Sequence, residues 1–117
     1  MNIQNYITKS EQTAWNPLVE KGVHYPGLFV KSLRFDPETN RSKTILLKFS
    51  AGARYPYHVH PAGEEIFVLE GSCEVAGARL EAGDHLYTPP TGKHGVYSAD
   101  GCVLLLSIPE EVILLES

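Results

Sequence analysis

Apolar and polar residues follow one another in short bursts along this chain, and almost every burst reads as a β-strand. Segments 30–35, 44–49, 54–60, 64–69, 73–75, 79–80, 85–88, 95–98 and 103–108 are rich in β-branched, aromatic and aliphatic side chains. They are divided by Gly, Pro, Asp and Asn, as in Asp36-Pro37-Glu38-Thr39-Asn40, Ala76-Gly77 and Asp100-Gly101, the residues that favour turns. Further turns are expected at Glu70-Gly71 and at Glu81-Ala82-Gly83. Only residues 10–21 carry a helical pattern, with Ser10 as its cap and Pro17 as an interruption. Many short strands with frequent turns predict an all-β, antiparallel sandwich or barrel.

Three of these segments, 44–49, 64–69 and 103–108, are apolar on both faces, whereas a half-exposed strand should alternate. One face fills an interior and the other needs a cover. Val112-Ile113-Leu114-Leu115 is a further apolar strip that a small domain has little interior left to bury. Such strips commonly mark interfaces, so a two-fold homodimer is expected. The alternative is that the strip folds back over its own sheet.

Composition narrows the picture. A chain of 117 residues, 43% hydrophobic, can bury one core, so residues 1–117 are read as a single domain. A formal charge of −4 without any basic block argues against nucleic acid or an anionic membrane as partner. The longest apolar runs are far too short to span a bilayer, and residues 1–13 contain no continuous hydrophobic segment. A cytoplasmic location is the expectation. Cys73 and Cys102 form no Cys-x-x-Cys pair and are expected to be buried, reduced thiols.

The candidate chemistry lies in His58-Val59-His60, in Glu64 and in His94. Alternate strand residues point the same way, roughly 6–7 Å apart, so two imidazoles at 58 and 60 can grip one ion. Pro61-Ala62-Gly63 breaks that strand and a glutamate opens the next; His94 follows the turn-rich Pro89-Pro90-Thr91-Gly92-Lys93. Together they make three nitrogens and one oxygen, with positions left for water or a small-molecule substrate. Periodicity does not choose between Glu64 and Glu65, because both faces of the strand they open are apolar. His85, beside Asp84, is expected to pack or hydrogen-bond, and His24 to sit in a loop. Tyr55 and Tyr57 have the opposite parity to His58 and should cover the other face of the sheet. Arg54 shares the ligands' parity and could meet an acidic substrate unless a bulge intervenes, while Phe49, Tyr87 and Trp15 are expected in the core.

At these residues the chain resembles the cupin superfamily. Gly52-x5-His58-x-His60-x3-Glu64-x6-Gly71 matches its first motif, and Gly83-x5-Pro89 followed by Pro90-x-Gly92-x-His94 looks like its second. His94 follows Gly92 by one intervening residue where the general pattern has two, and the later Asn is missing. That shorter form resembles the ChrR-like subgroup, named for a zinc-binding anti-sigma factor domain. Trp15-Asn16-Pro17, Gly22-Val23, Thr44 to Phe49, Gly63 to Gly71 and Gly101-Cys102 extend the likeness over most of the chain. The resemblance implies a double-stranded jelly roll with core motifs at 52–71 and 83–94. It favours Glu64 as the carboxylate and implies one divalent transition metal ion per chain, Fe, Zn, Mn, Ni or Cu, on His58, His60, Glu64 and His94. Relatives of this kind include acetylacetone and dihydroxyacetophenone dioxygenases, which suggests an Fe-dependent enzyme acting on a chelating keto or enol compound. Others are zinc-bearing sensors joined to a helical sigma-factor-binding domain, for which these residues offer no counterpart; a stand-alone metalloenzyme is therefore the expectation.

Overall fold

The computed structural model describes residues 1–115, which form ten strands: β1 (Asn16–Glu20), β2 (Val23–Asp36), β3 (Arg41–Phe49), β4 (Arg54–Val59), β5 (Glu64–Val75), β6 (Ala78–Glu81), β7 (His85–Thr88), β8 (Lys93–Tyr97), β9 (Cys102–Ser107) and β10 (Ile113–Leu114). Every pairing is antiparallel, as the all-β sandwich or barrel predicted from the turn spacing requires, and the fold is the jelly roll that the resemblance implies. One sheet runs β1-β2-β3-β9-β5-β7 and the other β10-β4-β8-β5-β6. Inward side chains of the first sheet, Leu47 and Phe49 on β3, Ile66 and Val68 on β5, Leu104 and Leu106 on β9, meet Tyr55, Cys73, Val75 and Val96 of the second. Cys73 and Cys102 are buried free thiols.

β5 belongs to both sheets. Its first half pairs with β7 and β9, its second with β6 and β8. A turn is expected at Glu70-Gly71, but the chain rounds the corner there without breaking the ladder. A bulge between Val68 and Glu70 shifts the parity, so Ile66 and Val68 face inward before the corner and Cys73 and Val75 after it. At the corner Gly71 has φ +74°, and a Cβ there would stand 2.2 Å from the Gly101 carbonyl oxygen. No other residue fits that approach.

Residues 10–21 are not a helix. A single 3-10 turn at Ser10–Gln12 is followed by β1, in which Leu18 turns inward and Pro17 and Val19 outward. Pro17 cannot supply a helical hydrogen bond, and β1 is an edge strand, where a missing donor is tolerated. β2 begins at Val23, so His24 lies exposed on a strand and not in a loop. The C-terminal strip folds back on its own sheet, with Ile113 opposite Val59 and Leu114 opposite His58. Ile113, Leu114 and Leu115 nevertheless keep much of their surface in solvent, as do Phe67 and Leu69 on the outer face of β5. Among the described residues no helix is long and apolar enough to cross a membrane.

The corner gives a stability prediction. Gly71→Ala should cost about 3 kcal/mol or more, because a left-handed backbone and a backbone collision add up. Gly77→Ala, at φ +82° but with nothing within 4 Å of the new methyl group, should cost only about 1 kcal/mol. Denaturant titration of the two variants measures the difference, and equal losses would contradict the corner's role.

Candidate metal centre

Three local devices bring the four candidate ligands together. His58 and His60 flank Val59 at the end of β4, so both rings point inward. A tight turn follows, in which the Gly63 amide donates to the His60 carbonyl at 2.9 Å, and Glu64 enters β5 facing the same interior. His94 comes from β8, where it pairs directly opposite His58. All four side chains are buried, and one ligand atom from each lies within 4.8 Å of the rest.

The spacings suit one shared ion. His58 Nε2 lies 2.9 Å from His60 Nε2, His60 Nε2 lies 2.9 Å from Glu64 Oε2, and His94 Nε2 lies 3.3 Å from Glu64 Oε1. Donors bound at about 2.1 Å with bond angles of about 90–109° would stand about 3.0–3.4 Å apart. His60 Nδ1, Glu64 Oε1 and His94 Nε2 are buried without a hydrogen-bond partner among the described residues. The last two face each other without the geometry of a hydrogen bond, an arrangement that a cation between them would satisfy.

The protonation states agree. His58 Nδ1 lies 2.7 Å from the Pro56 carbonyl, which can only accept, so Nδ1 carries the proton and Nε2 presents its lone pair to the centre. Burial pushes His58 down from 6.5 to about 4, leaving it neutral at pH 7. Burial alone would raise the Glu64 carboxyl, but the His60 and His94 imidazoles outweigh it and hold Glu64 below its ordinary value. Thr88, opposite Glu64 on β7, places Oγ1 3.5 Å from His94 Nδ1 and backs that ring. Three imidazoles and a carboxylate in this state could hold a divalent transition ion.

A cavity of about 460 Å³ opens onto His58, His60 and Glu64. Its walls are apolar, with Leu47, Phe49, Ile66, Val96, Leu104 and Leu106 prominent, and its mouth carries Lys21, Thr39, Arg41 and Glu111. Phe49 is thus both core and cavity wall.

Parity misplaces one aromatic residue. Tyr55 is expected on the outer face, yet it is buried in the cavity wall with its ring edge-on to His58, centroids 4.9 Å apart. The cause is a bulge: between the pairs Tyr55–Val96 and His58–His94, β4 has two residues, Pro56 and Tyr57, where β8 has only Gly95. Tyr55 and His58 therefore both point inward, while Arg54 and Tyr57 stay exposed. Arg54 does not line the cavity.

The remaining candidates lie away from the centre. Glu65 faces outward and meets His85 at 3.1 Å, both exposed, and His24 is exposed on β2. Tyr87, expected in the core, is 57% exposed because it pairs with outward-facing Glu65. Trp15 is half-buried on the first sheet's outer side, beneath the Lys31 and Lys48 ammonium groups at 4.7 and 5.6 Å from its ring centroid. Glu20 and Tyr25 were missed, Glu20 because its segment reads as helix. Parity within β1 would have found Glu20 beside Leu18.

These protonation states make metal-free protein sensitive to acid. His58 binds its proton more weakly in the fold than in the unfolded chain, so the stability it contributes is full above about pH 6.5 and falls away toward about pH 4. Glu64, also held low, extends the loss into stronger acid. Denaturant titration should show a loss of roughly 2–3 kcal/mol between pH 7 and pH 4, and His58→Gln should flatten it. A flat profile in the native chain would refute the buried, neutral state of His58.

Residues 4–108 match the sequence profile of the ChrR Cupin-like domain. No protein of curated function matches the chain in sequence. An acetylacetone dioxygenase from Acinetobacter johnsonii superposes with a TM-score of 0.76 at 18% identity, over 96% of this chain and 78% of that one. An RmlC-like cupin from Shewanella frigidimarina gives 0.69 at 25% identity, over 91% and 93%. The Rhodobacter sphaeroides complex of SigE with the anti-sigma ChrR gives 0.65 at 22% identity, over 86% of this chain and 50% of that one. These superpositions show a shared fold, and the profile spans nearly the whole chain: it belongs to the ChrR cupin-like domain family.

Proposed function

We propose that this chain is a mononuclear metalloenzyme of the dioxygenase type, with one divalent transition metal ion on His58, His60, Glu64 and His94 and a small chelating keto or enol compound as substrate. The observation that carries the reading is the apolar cavity that ends on three of the four candidate ligands. The cavity of about 460 Å³ leaves room for a substrate beside the ion, although a sensor of a small molecule or oxidant would use such access as well. The fold shared with an acetylacetone dioxygenase supports the chemical class. Bound Fe(II) would supply Lewis acidity toward a pair of chelating oxygens and electrons for dioxygen.

The chain's own residues do the rest. Pro56 fixes the His58 tautomer, Thr88 backs His94, and the walls from β3, β5 and β9 keep water from the donors while orienting an apolar substrate. The ChrR-like alternative, a zinc-binding sensor module, draws on the family and on the fold shared with an anti-sigma factor. We place the chain in the cytoplasm, as its composition suggests.

Reconstitution with Fe(II) under anaerobic conditions, followed by oxygen uptake across diketones, hydroxyacetophenones and other chelating enols, tests the reading. Uptake with at least one of them is expected, together with about one metal ion per chain by elemental analysis. A His58→Ala, His60→Ala double variant should lose the metal, and normal content in it would refute the ligand assignment. Tight zinc binding with no uptake on any compound would favour the sensor.

The chain is also proposed to pair as a homodimer through the outer face of the first sheet, where Phe67, Leu69 and Tyr87 stay exposed. Light scattering at micromolar concentration should give twice 12.9 kDa, and Phe67→Lys should shift it to monomer. A native monomer would rule the pairing out.

A further inference from the structure

Besides the candidate ligands, the cavity wall holds a second polar group among its apolar residues. The Tyr55 hydroxyl donates to Glu20 Oε1 at 2.5 Å, and both residues line the cavity. They come from opposite sheets, Glu20 from β1 and Tyr55 from β4. Tyr55 is fixed by His58 on one side and by Tyr25 on the other, with ring centroids at 4.9 and 5.2 Å. A clamp between the sheets needs only one acceptor for the phenol, yet a carboxylate offers about four lone-pair positions. The Tyr55 hydroxyl takes one of these positions, and Glu20 lines the cavity.

The neighbouring charges narrow the ligand. Lys21 pairs with Glu111 at 3.2 Å, and Arg41 donates to the carbonyls of Ile108 and Pro109 at 2.8 and 3.2 Å. The Glu20 carboxylate can only accept, so it calls for a donor on the ligand. A hydroxyl suits the apolar walls better than an ammonium, which would bring three donors and a charge to be desolvated.

We infer that Glu20, positioned by Tyr55, determines specificity: the cavity selects a small, mostly apolar organic molecule with a chelating oxygen pair at one end and a hydroxyl group at the other, the hydroxyl donating to the Glu20 carboxylate. The inference rests on the proposed metal centre, which supplies the first anchor.

Calorimetry on zinc-loaded protein tests it without turnover, using benzohydroxamate, whose two oxygens chelate, and its 3- and 4-hydroxymethyl derivatives. One of the derivatives should bind about tenfold tighter than the parent. Glu20→Gln should reduce that preference several-fold and Glu20→Met should abolish it, with zinc content normal and the parent compound losing far less affinity than the favoured derivative. A role confined to clamping the sheets would weaken all three hydroxamates together, and that result overturns the inference. Equal affinities on wild-type protein overturn it as well and leave the metal centre standing. If none of the three binds while zinc is in place, both readings fall.

Discussion

A buried carboxylate amid hydrocarbon is unstable unless its charge is answered, and the placement of Glu64 in this chain follows from that requirement. Leaving such a group unpaired would cost several kcal/mol. The answer here is three imidazoles within reach, one of them fixed in its neutral tautomer by a backbone carbonyl. Even so, the protein's own hydrogen bonds do not satisfy the cluster, since three of its buried polar atoms lack partners among the described residues. Two sheets, a tight turn after His60 and a direct β4–β8 register all converge on this point. The apolar cavity above it raises the electrostatic stake, because low polarity strengthens each interaction made there and penalises each one missed.

Much of this was legible in the sequence. His58 and His60 share a face by strand parity alone, and the turn residues that separate them from Glu64 are plain to read. Even the ambiguity between Glu64 and Glu65 was a correct report of the pattern, for β5 is apolar on both faces: Ile66 and Val68 form core while Phe67 and Leu69 look outward. What the pattern could not carry was any place where the period of two is interrupted. The bulge opposite Gly95 reversed the expectation for Tyr55 and Arg54, and the bulge before Gly71 let one strand serve two sheets. Both depend on pairing with distant strands, which a local window does not see. The same limit hid β1, whose Pro17 and polar flanks suit an edge strand only once β2 is known to lie beside it.

The bulge in β4 also links two functions of that strand. Without the extra residue, Tyr55 would leave the cavity wall and His58 would lose its packing partner on that side. Pro56 suits the spot because it has no amide hydrogen to waste at a broken ladder, and its carbonyl is the group that orients His58. Cavity wall and candidate metal centre are thus set by one local irregularity.

β10 is only two residues long, yet it lies along the outer edge of the strand that carries His58. An open strand edge is a template on which another chain can build, and proteins commonly blunt such edges with a short or irregular strand. By occupying part of β4's edge and offering little edge of its own, this short segment leaves less backbone to recruit neighbouring molecules. Its value to the protein would then lie in resistance to strand-by-strand aggregation.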